Sequence, residues 1–202
     1  MIKLNLGCGS KILPGYTNID KFATYKPDIV LDLEKFPYPF KDNSVDEILL
    51  SHVLEHVGQN PDIFNEIIKE FYRICSNGAI INIIVPHPRH DDFISDPTHV
   101  RPITVLGLSL YDQELNKKWE KDNNSNTPLG IIYDVNFKIE DVNITLDKKY
   151  ENLFKEGKIK RDELNDIANK YNNVIKAVDD YFKDKKFNIF KVDSGARMLI
   201  KS

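Results

Sequence analysis

The chain has 202 residues, enough to bury one full core, and a single domain over residues 1–202 is the expectation for that length. Its 41% apolar and 29% charged residues are those of an ordinary globular protein, and no apolar run approaches the roughly 20 residues needed to span a bilayer. A net charge of −3 with both signs interspersed leaves no basic stripe to neutralise a row of phosphates, so neither a membrane nor nucleic acid is expected as partner.

Short apolar runs alternate with helical patterns, the order of a mostly parallel sheet covered on both faces. Strands are expected near residues 3–6, 17–19, 29–31, 45–50 and 79–85. The start, Met1 to Leu6, passes straight into a glycine turn, which gives no sign of a secretory leader. A helix should open at Asn60-Pro61-Asp62, where Asn caps, Pro suits the first position and Asp meets the positive end of the dipole. Ile63, Phe64, Ile67, Ile68, Phe71 and Tyr72 mark its apolar stripe, and Asn77-Gly78 is expected to close it. Residues 86–104, rich in His, Pro, Arg and Asp, read as a functional loop. A helix over about 105–115 follows, then a polar stretch at 117–128 too poor in apolar residues to pack. Residues 131–144 read as one or two strands and 161–182 as a long amphipathic helix. Residues 187–192 and 197–201, separated by Asp193-Ser194-Gly195, read as a closing antiparallel β-hairpin. Cys8 and Cys75 stand in unlike segments with no CxxC spacing, so no disulfide framework or zinc ribbon is indicated and a reducing cytoplasm is the default location.

The chemistry gathers at strand ends. Leu4-Asn5-Leu6-Gly7-Cys8-Gly9 is an apolar strand running into a G-x-G turn, which lets backbone approach a ligand closely. Asp20 ends the second strand, where a carboxylate can accept from both hydroxyls of a ribose. Asp32-Leu33 follows the third, pairing an acceptor for an exocyclic amine with an apolar wall, and Ser51-His52 ends the fourth. Any one of these could be a turn or a cap. In register, they fall where open α/β sheets bind ligands.

The run from Leu4 to Val57 resembles the first half of class I S-adenosylmethionine-dependent methyltransferases, in particular the small type 11 domain. The matching segments are Leu4 to Gly9, Tyr16-Thr17-Asn18-Ile19-Asp20, Ile29-Val30-Leu31-Asp32-Leu33, Phe40 to Ile48, and Ser51-His52-Val53-Leu54-Glu55-His56-Val57. The resemblance implies a Rossmann-like α/β fold, S-adenosyl-L-methionine as cofactor, a cofactor half at 1–85, and an acceptor loop and C-terminal part at 86–202. It implies that Asn5, Leu6, Gly7, Cys8 and Gly9 line the methionine side, with the glycines against the methionine itself. Asp20 would hold the ribose, Asp32 and Leu33 frame the adenine, and Ser51 and His52 border the sulfonium. One departure stands out: only ten residues separate Gly9 from Asp20, too few for a normal helix and connection, so residues 11–15 should form a turn or a stub helix.

His87-Pro88-Arg89-His90-Asp91-Asp92 and Asp96-Pro97-Thr98-His99-Val100-Arg101 follow the fifth strand, over the same edge. Similar Asp-Pro-Thr-His-x-Arg segments occur in resembling methyltransferases linked to sugar metabolism, which suggests a small-molecule or glycan acceptor and O-methylation. The reaction needs alignment and, for a hydroxyl, a base near neutral pH, a role that suits histidine. His99 is the first candidate, with His52, His87 and His90 as alternatives and Arg101 orienting the acceptor. His99 could equally tie its loop to Asp96, and His56 with Glu55 is expected to support the turn after strand four.

A dinucleotide oxidoreductase is disfavoured because Ile12 occupies the third glycine's place and Asp20 comes too early. A nucleic-acid amino-methyltransferase should carry an Asn/Asp-Pro-Pro-aromatic segment after strand four, which Ser51-His52-Val53-Leu54 lacks. Two other readings remain, a metal-dependent hydrolase using His87, His90, Asp91, Asp96 and His99, and a non-catalytic cofactor-binding module. No metal ligand is assigned, and the acceptor, the atom methylated and the oligomeric state stay open.

Overall fold

The computed structural model describes residues 1–88, 90–142, 148–160, 163 and 195–200. The chain divides into two units, Met1–Val142 with Gly195–Ser202, and Asn143–Ser194. The first holds a seven-stranded sheet: β1 (Lys3–Leu6), β2 (Thr17–Asp20), β3 (Ile29–Val30), β4 (Val45–Ser51), β5 (Cys75–Ile84), β6 (Phe137–Val142) and β7 (Gly195–Ile200). They lie side by side in the order β3-β2-β1-β4-β5-β7-β6. The first five are parallel, and β7 runs antiparallel to both β5 and β6. The chain winds outward from β1 to β3, then returns to start the other half at β4. The sheet therefore reverses its winding between β1 and β4, where open α/β sheets take ligands.

The expected parallel sheet is present, and each of the five early strands falls within a few residues of its expected place. The core joins Leu4, Leu6, Ile19, Ile48, Leu50, Ile81 and Ile83 of the sheet to Phe64, Ile67, Ile68, Phe71 and Ile74 of α1 (Pro61–Ile74). Those helical residues recur every three or four positions, so one face of α1 is covered; each such side chain stabilises by about 1.5–3 kcal/mol. Asn60 caps the helix as expected, its Oδ1 accepting from the Asp62 amide at 2.9 Å.

The end of α1 differs from expectation. It stops at Ile74, and Asn77-Gly78 lies inside β5 instead of closing the helix. The amides of Asn43 and Ser44 donate to the carbonyls of Arg73 and Ile74 at 2.9 and 2.8 Å, satisfying helix-end acceptors that a glycine cap would otherwise serve. The expected 105–115 helix is two, α3 (Val105–Ser109) and α4 (Gln113–Lys121), following the short α2 (Asp91–Ser95). The Leu110 carbonyl accepts from the amide of Gly130 and the side chain of Asn116, and the Tyr111 carbonyl accepts from the Phe137 amide. Asp112 then caps a new helix through the Leu115 amide. That helix takes in the start of the stretch expected not to pack, because Trp119 and Asn116 are buried; exposed chain begins at Glu120. Among the described residues of 131–144 there is one strand, β6, preceded by the turn of helix α5 (Leu129–Ile132). The expected hairpin partner at 187–192 and the long helix at 161–182 fall outside the described residues, except Glu163. The last strand, β7, pairs with β5 and β6.

In the second unit, α6 (Lys148–Lys155) ends in a left-handed glycine, Gly157 at φ +68°. The amides of Gly157 and Lys158 there return to the carbonyls of Phe154 and Leu153. Among the described residues no helix is long and apolar enough to cross a membrane.

Parallel neighbours ordinarily need a crossover of about a dozen residues or more, usually helical. Residues 7–16, between β1 and β2, contain no helix. Two buried asparagines close them. Asn18 Oδ1 accepts from Asn5 Nδ2 at 2.9 Å and from the Leu13 amide at 2.8 Å. Asn18 Nδ2 donates to the carbonyls of Leu13 and Tyr16 and to Asp28, while Asn5 Nδ2 also reaches the Lys11 carbonyl. The Asn18 bonds in turn hold the Asp28 carboxyl below its ordinary value. Asn18→Ala removes this bonding and leaves buried donors and acceptors unmet. Urea unfolding should show a loss of about 2–4 kcal/mol, against under about 0.5 kcal/mol for Lys11→Ala, whose exposed side chain takes no part.

Candidate active site

The carboxyl ends of β1, β2, β3 and β4 stand next to one another, so the groups that follow them share one edge. Gly7 and Gly9 take left-handed φ values of +62° and +51°. At Gly7 the requirement is also steric, since a Cβ would lie 2.5 Å from Val53 Cγ2, whereas at Gly9 it would meet nothing within 4 Å. Gly7 therefore lets β1 pass close beneath the turn after β4, and Gly9 supplies the bend.

Asp20 couples the first two strand ends. It is 7% exposed; its Oδ2 accepts from the Gly9 amide and its Oδ1 from the Phe22 amide, both at 2.8 Å. An ionised carboxylate has about four acceptor sites, so each oxygen keeps one for a ligand. The Cys8 amide donates to the Ile19 carbonyl at 2.9 Å, locking the turn to β2. Burial, then the nearby Asp20 charge, push the Cys8 thiol up, so it stays protonated and is a poor nucleophile.

Asp32 uses Oδ1 to accept from the Glu34 amide at 3.0 Å. Glu34 in turn accepts from the Gly58 amide at 2.7 Å, tying the loop after β3 to the turn after β4. Leu33 is 6% exposed and belongs to the core, its carbonyl held by the Tyr38 hydroxyl. Asn5 is engaged with Asn18, and Leu6 is 1% exposed, so these two face the edge through their backbone.

Ser51 is the last residue of β4. His52 follows at φ +56°, a conformation uncommon for a side chain of its size and concentrated at functional sites. Its amide is held by the Ile84 carbonyl at 2.8 Å, while its imidazole is 59% exposed. His52 Nδ1 lies 3.5 Å from Oε1 of Glu55, which is wholly buried in the 3-10 turn formed by Leu54, Glu55 and His56.

The 86–104 segment folds back onto that turn. The amides of Val100 and Arg101 both donate to the Glu55 carbonyl, at 2.9 and 3.2 Å. The His99 side chain is 7% exposed, stacks on Phe93 with centroids 5.1 Å apart, and meets the Phe93 carbonyl through Nδ1 at 2.8 Å. Its Nε2 lies 3.7 Å from Asp96. Two hydrogen bonds from Thr98 hold the Asp96 carboxyl below its ordinary value. The Arg101 guanidinium lies 4.3 Å over the Phe64 ring and donates to the Gly58 carbonyl at 2.7 Å, which takes up much of what could grip an acceptor. His90 caps α2 through Nδ1, and half-buried His87 accepts the His90 amide at its carbonyl.

The edge thus unites Gly7, Gly9, Asp20, Asp32, Ser51 and His52, with His52 the histidine most open to it. The sequence reading missed two groups. Glu34 is a bridge between strand ends, which its position two residues past Asp32 does not reveal. Glu55 is read, with His56, as a support of the turn after strand four, and the apolar Val53-Leu54 before it is the available hint that it is buried.

Residues 17–83 match a family described as a methyltransferase domain. That match runs from β2 to the end of β5 and leaves out the shortened connection after β1. No curated protein matches the sequence. Among solved structures, an S-adenosylmethionine-dependent methyltransferase from Archaeoglobus fulgidus is 15% identical, covers 99% of this chain and 85% of its own, and superposes with a TM-score of 0.50, a likeness of fold. A type 11 methyltransferase from Sulfolobus solfataricus is 16% identical over 100% of this chain and 84% of its own, with a TM-score of 0.45. A methyltransferase from Haloferax volcanii, seen in complex with the activator Trm112, is 11% identical over 100% and 83%, with a TM-score of 0.47.

The close approach at Gly7 is testable on the protein alone. Gly7→Ala adds a left-handed alanine (about 1–2 kcal/mol) and a clash with Val53 (about 1–3 kcal/mol). In a double-mutant cycle by urea unfolding it should cost at least about 1 kcal/mol less when Val53 is already Ala, because only the clash is relieved.

Proposed function

We propose that this chain, whose residues 17–83 match a methyltransferase domain, is a class I S-adenosylmethionine-dependent methyltransferase that methylates a hydroxyl of a small molecule or glycan in the cytoplasm, with His52 as the base. The observation that supports this most is the shared edge of four adjacent strand ends, with Asp20 joined to Gly9 and retaining acceptor sites toward a ligand.

The residues present fit the cofactor. Gly7, Cys8 and Gly9 offer backbone to the methionine part, Asp20 accepts from the ribose hydroxyls, and Asp32 accepts from the adenine amine through the oxygen that Glu34 leaves. Leu33, largely enclosed, contributes the base of that pocket. Ser51 and His52 border the sulfonium end. Bound S-adenosylmethionine supplies an electrophilic methyl group, so the protein must chiefly align the acceptor oxygen and receive its proton. His52 is better placed for the second task than His99, whose ring is stacked, enclosed and tied to the Phe93 carbonyl. Oε1 of the buried Glu55 stands 3.5 Å from His52 Nδ1, on the side away from the solvent. Arg101 and His99 then shape the loop that covers the acceptor.

Calorimetry with S-adenosylmethionine and S-adenosylhomocysteine, followed by labelled-methyl transfer into fractionated small-molecule and glycan extracts, tests the reading. Asp20→Ala should weaken binding about 10-fold or more, since it removes a charge-assisted acceptor and frees the glycine turn. His52→Ala should bind normally and lower turnover about 10²–10⁴-fold. Normal turnover in His52→Ala would exclude it as the base, and absence of cofactor binding in the wild-type chain would end the reading.

A further inference from the structure

Glu55 is 0% exposed, and both carboxylate oxygens are buried without a hydrogen-bond donor. A carboxylate in such a position calls for a cation. The His52 ring approaches Oε1 only to 3.5 Å and belongs to a side chain lying mostly in water. Two other imidazoles gather at the carboxylate: one ligand atom from each of Glu55, His56 and His99 lies within 4.8 Å of the other two.

The surroundings of both rings leave nitrogen lone pairs available. The Phe93 carbonyl can only accept, so His99 Nδ1 carries the proton in that 2.8 Å bond and Nε2 of the neutral ring keeps its lone pair. The contact between Asp96 Oδ2 and His99 Nε2, at 3.7 Å, is too long to be a competing hydrogen bond. Thr98 Oγ1 donates to Asp96 Oδ1 at 2.6 Å and therefore meets His56 Nδ1, 3.0 Å away, as an acceptor. His56 too is left with a bare Nε2. A carbonyl or hydroxyl fixing the far nitrogen of each ring is the usual outer support of metal-bound histidines.

We propose that Glu55, His56 and His99 bind one divalent transition-metal ion. Two imidazoles and one carboxylate suit Zn2+ or Co2+ better than Mg2+ or Ca2+, and three protein ligands leave a position for water or an acceptor oxygen. The ion neutralises the buried carboxylate and fastens the 96–101 segment to the turn after β4, where the Val100 and Arg101 amides already bind the Glu55 carbonyl. The ligand set differs from the His87-to-His99 cluster that the sequence suggests, because His90 is taken up in capping α2. It also differs from the H-x-x-E-H spacing of residues 52–56, which would need an α-helix to align His52 with His56. Here the segment is a 3-10 turn entered through a left-handed His52.

The site can be tested on the purified full-length chain without cofactor or acceptor, so its outcome is separate from that of the methyl-transfer reading. Zn2+ calorimetry after chelator treatment should give one saturable site per chain, and Co2+ should show the visible absorption bands of a low-coordinate imidazole site. Mg2+ should not compete. His99→Gln and Glu55→Gln should each lower Zn2+ affinity about 100-fold or more, Thr98→Val about 10–100-fold, and His90→Gln should leave it unchanged. Far-ultraviolet circular dichroism checks folding, with His56→Gln replacing any variant that fails to fold. Absence of saturable binding, or affinity that survives loss of these ligands, would overturn the proposal.

Discussion

How residues 7–16 are closed decides what can stand at the carboxyl edge of the sheet. A helix normally sets the spacing of adjacent parallel strands, and this connection has none. The spacing is held instead from inside, by a pair of buried asparagines whose amides take the place of helical hydrogen bonds, and by Asp20, which accepts from Gly9. The same bonds that make the short connection possible bring the glycine turn against the acid at the end of β2. The fold and the carboxyl edge are therefore not separable here. Loosening the asparagines would move the glycines relative to Asp20 before it moved any strand.

A second set of ties works from the opposite side. Glu34 reaches the Gly58 amide, Arg101 reaches the Gly58 carbonyl, and the Val100 and Arg101 amides reach the Glu55 carbonyl. The turn after β4 is thus held by the loop after β3 and by the segment after α2. His52 projects from that turn in a backbone conformation that most side chains avoid. The strain is consistent with a position selected for where the imidazole points.

Much of this was legible in the sequence for a simple reason. Buried parallel strands are short apolar runs, and the residue at the end of each run is fixed in space once the run is recognised. Asp20, Asp32 and Ser51 could therefore be assigned to one edge from spacing alone. The misplacements share a cause as well. Residues 105–115 carry a continuous helical pattern, but the Leu110 and Tyr111 carbonyls are claimed by residues 116, 130 and 137, and only the tertiary structure reveals it. Asn77-Gly78 is a good helix stop that is not used, because Asn43 and Ser44 reach the end of α1 first. Arg101 reads as a residue that orients the acceptor, and its guanidinium meets a backbone carbonyl and an aromatic ring. Glu55 reads as a support of the turn after strand four, and nothing local shows that it will be wholly buried.

The central claim is that Gly7, Gly9, Asp20, Asp32 and Ser51 surround a single adenosyl ligand. The most direct measurement is a backbone amide NMR titration of the full chain with S-adenosylhomocysteine. The account predicts the largest shifts, saturating together with one dissociation constant, at residues 7–9, 20–22, 32–34 and 51–53. Shifts centred elsewhere on the chain, or separate saturation of these four segments, would contradict it.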